Sequence, residues 1–581
     1  MKLPKKLRRS GIALALGGWL LLLAVQPAPA QNGPELPSAL RAQLGFVPGG
    51  RETALPATVY LQHADNDGAG FAGEKPAVVR LSSLATTTPP AAGPLYSCRQ
   101  GEALATYPTF DPAAAAARPT RNVDTSRPQV NERSSSGELH LDFDGLAATG
   151  TTPPDTVLAV GPEKVLEAVN SGLAVYSKTG VLLQGHTTFS TFFNAVKPAG
   201  WAGFFFEPRV LYSPENNKFV LLALGLDQAN DASYFFIAVS QTPDPTGLWW
   251  LSRFNSNLGG VTGDAFLEYS GLAADTWGVY VTGNYFFWTG GYKYSTIISI
   301  GPSLLSGGAA GGWQFLNLQW PSAASASSLQ PAVPLSVSLN AETFFVNSWS
   351  AVGSQLLVWK LTGDRTNNPT LVRAPIDVGA YSAINQNVDQ PGSLTNIDGG
   401  DSRVLNAVYS QRRVYASLTS DTHADASSSG AFVAKINIDS LLAEWTTTAD
   451  GGPGWYYFYP AVAIGDGTLA SPSVSLFLSW TYPAENRFAS AAVRTYLAPP
   501  VNLQGSFPTL AVGQAAYVAL DGNNRNRWGD YNGAAFDFTR GTVWGAVEYA
   551  GTANSWRTRI GELNAALFAD GFESGTTSAW Q

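Results

Sequence analysis

Two short runs, EPRVLY at 207–212 and KFVLLA at 218–223, decide the fold predicted from this sequence. The first opens with polar residues and a proline and then becomes apolar, and the second is apolar almost throughout. Pro214, Asn216 and Asn217 lie between them as turn residues. Apolar runs bounded by Pro and Asn are typical of β-strands. Together the two runs predict an antiparallel strand pair.

The same pattern recurs along the chain. Comparable opening runs are DTVLAV at 155–160, DAFLEY at 264–269, QPAVPL at 330–335, DSRVLN at 401–406, YPAVAI at 459–464 and DYNGAA at 530–535. These units start at intervals of roughly 50–70 residues, which leaves room for four strands with long loops in each. Seven such units predict an all-β fold, a seven-bladed β-propeller of four-stranded antiparallel blades. A chain of several β-sandwiches is the alternative.

The composition agrees with an all-β protein. Only 13% of the 581 residues are charged, against about 25% in ordinary soluble domains. The chain has 59 glycines, 37 prolines and 17 tryptophans, which argues against a helical bundle or coiled coil. A hydrophobic fraction of 45% argues against disorder for most of the chain.

The first 30 residues have the features of an export signal. A basic segment at 2–9 precedes an apolar run at 11–25, and Ala28-Pro29-Ala30 then has the small-residue pattern of a signal peptidase site. Cleavage there predicts a secreted, periplasmic or cell-surface protein with no transmembrane segment in the mature chain. The mature chain is more acidic, so we expect no nucleic-acid partner.

The remaining boundaries follow from composition. Residues 31–137 are predicted as an N-terminal leader or linker, poorly ordered in part, because 86–136 are rich in Ala, Pro, Ser and Thr. Two strands are predicted within the leader, at 58–61 and 78–81. Residues 138–567 are assigned to the propeller, and 568–581 to a C-terminal tail.

Signatures of known enzyme chemistry are absent from the sequence. It has no Gly-x-Ser-x-Gly, His-Glu-x-x-His, Cys-x-x-Cys or P-loop motif, and its single cysteine, Cys98, lies in the leader. No cofactor is predicted with certainty. Calcium is the open possibility, from the acidic turns at 142–145 and 398–401, although Asp/Gly turns without an ion are the simpler interpretation. The turn at 65–68 begins like an EF-hand loop, but the twelfth position of that loop is Pro76, so it fails as a calcium loop.

A candidate site follows from the predicted geometry. If each unit start opens the innermost strand of a blade, the first side chains surround one end of a central funnel. Residues i and i+2 of a strand share a face, so Glu207/Arg209 and Asp401/Arg403 are expected to point the same way. The predicted funnel residues are Asp155, Glu207, Arg209, Asp264, Asp401, Arg403, Arg527 and Asp530. Hydrogen bonding of these groups to loops alone is the alternative.

Several motifs resemble those of a largely uncharacterised family of secreted bacterial β-propeller proteins. They are AVGP at 159–162, AVSQTPDPTG at 238–247 and RWGDY at 527–531, and the tail resembles the DGFESG-TSAW ending of many exported proteobacterial proteins. The resemblance covers roughly 138–565 and implies a propeller fold and an export route.

The function expected from the sequence is therefore ligand binding. The leading hypothesis is a non-catalytic binding or cell-surface interaction protein, whose extracellular partner is a glycan or a surface protein. The alternative is a secreted polysaccharide-acting hydrolase or lyase that uses the funnel carboxylates and Tyr531 or Tyr212. The catalytic residues cannot be assigned from sequence. Sialidase-type chemistry is not favoured, because the typical turn of those propellers is approached only at 273–278, where Trp277 comes too early.

Overall fold

A computed structural model of the protein describes residues 62–63, 67–87, 139–258, 263–319, 326–335, 341–348, 352–384, 388–422, 428–465, 475–484, 486–497, 507–521, 523–552 and 554–564. The predicted signal peptide, the strand at 58–61, Cys98, most of the leader and the C-terminal tail lie outside these residues. No described helix is long and apolar enough to cross a membrane.

The structure is all-β. Its strands are β1 Gln62–His63, β2 Asp67–Phe71, β3 Ala77–Arg80, β4 Leu139–Ala147, β5 Val157–Val160, β6 Lys164–Val169, β7 Gly172–Ser177, β8 Leu182–Thr188, β9 Phe204–Ser213, β10 Lys218–Asp227, β11 Ala232–Ser240, β12 Leu248–Asn255, β13 Ala265–Asp275, β14 Gly278–Phe287, β15 Tyr292–Ile300, β16 Gly312–Leu318, β17 Gln330–Pro334, β18 Thr343–Ser348, β19 Val352–Thr362, β20 Thr370–Ser382, β21 Asn406–Ser410, β22 Arg413–Asp421, β23 Ser429–Asn437, β24 Leu442–Ala449, β25 Phe458–Gly465, β26 Ser475–Ala484, β27 Arg487–Leu497, β28 Thr509–Ala511, β29 Gly533–Asp537, β30 Thr542–Ala550 and β31 Trp556–Asn564. One α-helical turn, α1, spans Phe189–Phe192, and 3₁₀ turns span Leu81–Ser83, Asn194–Val196 and Pro302–Ser306.

Consecutive strands pair antiparallel in groups of four, and each group is called here a blade, named by its first strand. The order is β5-β6-β7-β8, then β9 to β12, β13 to β16, β17 to β20, β21 to β24 and β25 to β28. Parallel pairing of β17 with β21 joins two of these groups into one larger sheet, to which β1 adds at β20. The last blade is β29-β30-β31-β4, so β4, from the N-terminal side of β5, supplies its outer strand. The opening runs at 207–212 and 218–223 lie in β9 and β10 as a strand pair.

The blades form a closed circuit. The inner strand β5 contacts β9, which contacts β13, and the contacts continue through β17, β21, β25 and β29 back to β5. Antiparallel sheets arranged radially around such a circuit form a β-propeller. The core lies between neighbouring blades: one hydrophobic cluster joins β10 and β11 to β13–β15. Strand β13 is buried along its whole length, and because both of its faces are covered, its sequence is mostly apolar.

Residues 67–87 lie on the outer rim and are called here the rim strap. Strand β2 pairs with β16, and β3 pairs with β12, each as a fifth, outermost strand of its blade. The Thr87 N–H then donates to the His186 carbonyl in β8, at 2.8 Å. Within the segment predicted as a leader, the strand expected at 78–81 is present as β3, Ala77–Arg80. The composition of the leader did not indicate that it covers three blade edges.

Candidate functional site

A small recess of about 20 Å³ lies at the centre of the ring, among the inner strands of several blades. Four of the predicted funnel residues line it: Asp155, Glu207, Arg527 and Asp530. Its other lining residues are Pro153, Asn170, Phe205, Phe206, Glu268 and Arg525. The recess thus combines carboxyl groups, arginines, an amide and two aromatic side chains.

The inner strands reach the recess through irregular backbone. Glu207, Tyr269 and Tyr459 have φ of 47°, 53° and 51°, and the pairing register of their strands shifts at these positions. Asp155, just before β5, has φ of 49°. A left-handed conformation costs a non-glycine residue about 1–3 kcal/mol and persists where the surroundings impose it. Bulges of this kind change the direction in which the side chains of a strand point.

Asp155 and Glu207 are joined through one amide side chain. Asn170 Nδ2 donates to Asp155 Oδ2 at 2.6 Å, and Asn170 Oδ1 accepts from the Glu207 backbone N–H at 2.7 Å. The Glu207 carboxylate accepts in turn from the Ser270 N–H at 3.1 Å. Asn170, in the turn between β6 and β7, therefore sets the positions of two recess carboxyls.

The backbone of the RWGDY stretch donates hydrogen bonds to two carboxyls, those of Asp155 and Glu548. The Asp530 N–H donates to Asp155 Oδ1 at 2.7 Å, and the Gly529 N–H donates to Glu548. A Cβ on Gly529 would lie 2.7 Å from Glu548 Oε2, so any larger residue there would displace the Glu548 carboxyl. Arg527 pairs with Asp530 at 2.8 Å. This motif therefore has a structural role, the binding of carboxyl groups, and that role accounts for Arg527, Gly529 and Asp530.

The two arginines expected beside acidic residues have different surroundings. Arg403 pairs with Asp401 through two contacts of 2.7 and 2.6 Å and lies 4.6 Å over the Tyr269 ring. Arg209 forms no ion pair within the described residues: its Nε donates to the Ser270 carbonyl, and its guanidinium lies 3.5 Å over the Tyr531 ring. The bulge in β9 starts at Glu207, which explains why the i, i+2 rule does not bring Glu207 and Arg209 together.

The structure places Asp264 away from the recess. Its side chain is about half exposed and pairs with Lys293 at 2.7 Å. Asp264 precedes β13, whereas the bulge of that strand lies further along at Tyr269 and Ser270, so Glu268 reaches the recess instead. Asp401 and Arg403 do not line it either. Burial raises the pKa of the Tyr269 hydroxyl, and Asp401 and Asp530 both lie close enough to add to this rise.

Two recess carboxyls, those of Asp155 and Glu207, are less acidic than usual, and so is the nearby Glu548. Burial, followed by repulsion from Asp530, raises the pKa of Asp155 to about 7. Burial and the neighbouring Glu268 raise the pKa of Glu207, and burial and Asp155 raise that of Glu548. A raised carboxyl pKa keeps the group protonated, so Asp155, Glu207 and Glu548 add less negative charge near neutral pH than their number suggests.

The described part of the chain contains no group of three or more His, Cys, Asp or Glu side chains arranged for a metal ion. Asp142 and Asp144, a candidate calcium pair, both contact Arg559. In the 398–401 turn, Asp398 accepts from the Gly400 N–H and Asp401 pairs with Arg403. The acidic turn at 65–68 lies partly outside the described residues.

The tyrosines considered for catalysis are in different places. Tyr531 is 1% exposed, and its hydroxyl donates to the Pro208 carbonyl at 2.9 Å. Tyr212 donates to Asn217 Oδ1 in the turn between β9 and β10 and does not line the recess. Neither hydroxyl is presented to the recess.

Sequence reasoning missed Asn170, Glu268 and Glu548. Glu268 and Glu548 could have been identified from the sequence. Each is a single carboxylate in a mostly apolar run, AFLEYSGLA for Glu268 and TVWGAVEYA for Glu548. A charged residue is buried only where partners compensate it. Asn170 had no such signal, because asparagine in a short turn is common.

No protein-family model matches the chain, and no curated protein matches it. Among solved structures, it is similar to a Trypanosoma rangeli sialidase in complex with the inhibitor DANA, at 8% identity and a TM-score of 0.30, over 62% of this chain and 54% of the sialidase. It is also similar to a GH43 endo-arabinanase from Bacillus licheniformis, at 9% identity and a TM-score of 0.26, over 60% of this chain and 95% of the other. The chain thus spans about half the length of the sialidase. Likeness at these TM-scores supports no statement about shared activity.

Proposed function

We propose that this chain is an exported, seven-bladed β-propeller that binds a polyhydroxylated ligand, such as a sugar residue, at the mouth of its central recess without transforming it. The circuit of inner strands from β5 to β29 supports the blade number. The signal-like residues 1–30 and the motifs shared with secreted bacterial propellers support export. N-terminal sequencing of the exported protein should begin at Gln31, and a sequence beginning at Met1 would contradict the export proposal.

One observation carries the binding proposal: the recess carboxyls are held in place by fixed donors. Asp530 is paired with Arg527, Asp155 accepts from Asn170 and a backbone amide, and Glu207 accepts from Ser270. Carboxyls, arginines and an amide supply both donors and acceptors, and Phe205 and Phe206 supply apolar surface. Pockets of this mixed kind orient small ligands by a few placed polar groups. The raised carboxyl pKa values favour a neutral polyol over a cation.

A glycan array and calorimetry on the purified chain from residue 31 onward test the proposal. Glu207→Gln keeps an oxygen for the Ser270 amide but changes the recess, and we expect it to weaken binding about tenfold or more. Asp264→Asn is the matched control, an acidic residue at a unit start outside the recess, and should leave affinity unchanged. The binding proposal is wrong if no polyol binds, or if both variants behave alike.

A specific observation keeps hydrolysis as the second candidate. The pKa of Asp155 is raised to about 7, and its carboxyl accepts a hydrogen bond from the Asp530 backbone amide. A carboxyl with a pKa near the working pH can act as a general acid or base. Product release from the bound glycan, abolished by Asp155→Asn, would establish this alternative and exclude a purely binding role.

A further inference from the structure

The end of the rim strap reaches the residues that support the recess. Thr87 Oγ1 lies 2.9 Å from His186 Nδ1, and His186 Nε2 lies 3.2 Å from Ser171 Oγ. Ser171 Oγ donates to Thr149 Oγ1 at 2.5 Å. These four side chains form one hydrogen-bonded chain from the rim toward the centre, called here the latch.

The latch ends next to Asn170. Ser171 follows Asn170 in the turn between β6 and β7, and its carbonyl accepts from the Phe189 N–H at the start of α1. The Asn170 side chain in turn holds Asp155 and the Glu207 backbone. A displacement of this turn therefore moves the amide on which both carboxyls depend.

The latch has one consistent direction of donation. Burial lowers the pKa of His186 to about 4, so its imidazole is neutral near pH 7 and has one donor nitrogen. Because Ser171 donates to Thr149, its oxygen is available to accept from Nε2–H, and Nδ1 then accepts from the Thr87 hydroxyl. Removing the Thr87 hydroxyl leaves a nearly buried nitrogen without this donor.

Apolar packing provides a second connection. Leu81 of the rim strap is fully buried in one hydrophobic cluster with Phe192, Phe193 and the recess residue Phe205. The Phe193 and Phe205 rings stack with their centroids 5.7 Å apart. The strap thus reaches both a polar and an aromatic part of the recess wall.

We propose that the rim strap is part of the recess: Thr87, His186 and Ser171 are positioning residues that hold the Asn170 turn, and through it Asp155 and Glu207, in the arrangement used for ligand. The proposal rests on the proposed function only in treating the recess as the ligand site. It changes the role of residues 67–87 from a linker to a structural component of that site.

Hydrogen–deuterium exchange of the whole exported chain tests this without any ligand. The Glu207 amide, bonded to Asn170 Oδ1, and the Asp530 amide, bonded to Asp155, report directly on the recess. In Thr87→Val, we expect both amides to exchange about fivefold faster or more, while amides of β30 keep their rates. Thr87→Ser, which retains the hydroxyl, should restore the original rates.

Ser83→Ala is the matched control in the same strap, because Ser83 Oγ donates to the nearby Arg80 carbonyl and, among the described residues, contacts no part of the latch. Ser171→Ala breaks the latch from its other end and serves where Thr87→Val alters exchange throughout the chain. Unchanged exchange at Glu207 and Asp530 in both latch variants would overturn the proposal, as would equal acceleration in Ser83→Ala. A ligand screen that fails leaves this result unaffected, so the two proposals can fail separately.

Discussion

The central recess and the rim strap show two ways of holding residues in a propeller. The strap is held by backbone pairing: β2 and β3 add to the edges of β16 and β12. Gly68 and Gly70 let it lie against Trp313, since a Cβ on Gly68 would be 2.4 Å from Trp313 Nε1. The recess is stabilised by carboxyl groups that accept hydrogen bonds from backbone amides, those of Asp530 and Ser270.

This difference extends to the ionisable groups of the two regions. Burial favours the neutral form of Asp155 in the recess and of His186 in the latch. The neutral form is protonated in a carboxyl and deprotonated in an imidazole, so the two regions should respond to pH in opposite directions.

The largest effect should come from the apolar anchor of the strap. Leu81→Ala removes a fully buried side chain that packs with Phe192 and Phe193. We expect the free energy of unfolding to fall by about 2–5 kcal/mol, measured from the urea midpoint. Val78→Ala, at a half-exposed position of the same strap, should cost less than about 0.5 kcal/mol. Equal losses would show that the strap is not anchored at Leu81.

Asp155 should make the protein less stable as pH rises. Its folded pKa of about 7 lies above the ordinary value of 3.8, so the native state holds a proton that the unfolded state has released across this range. Relative to Asp155→Asn, the wild-type free energy of unfolding should fall between pH 4 and 7, by on the order of 3 kcal/mol. Urea titrations at several pH values measure the slope. Parallel curves for the two proteins would exclude a raised pKa.

His186 should act in the opposite direction. Its folded pKa of about 4 lies below the ordinary 6.5, so the unfolded state binds the extra proton between these values. Relative to His186→Gln, the wild-type protein should lose about 2–3 kcal/mol as pH falls from 6.5 to 4. The same titrations test this, and a slope of the same sign as that of Asp155 would contradict the contrast between the regions.

The smallest effect is expected at Asp264. Its ion pair with Lys293 is half exposed, and such pairs contribute less than about 1 kcal/mol. Asp264→Asn should therefore change the urea midpoint little at any pH. A loss as large as that of Leu81→Ala would place Asp264 in a role that its exposed contacts do not explain.

Much of the fold was readable because its signals are local. Apolar runs between Pro, Asn and Gly predicted the strand pair at β9 and β10, and the strand at 78–81 is β3. The candidate site was readable only in part: Asp155, Glu207, Arg527 and Asp530 line the recess, whereas Asp264 does not. The difference follows from bulge positions, which shift the inward residue of β13 to Glu268.

The amino-acid sequence by itself determined which segments become strands, because strand formation follows the nearby pattern of apolar and turn residues. Only the tertiary structure decided that Asn170 joins Asp155 to Glu207, and that Thr87 reaches His186 across 99 positions of sequence. Those contacts join side chains of different segments, and they exist because strand pairing and blade packing bring the segments together.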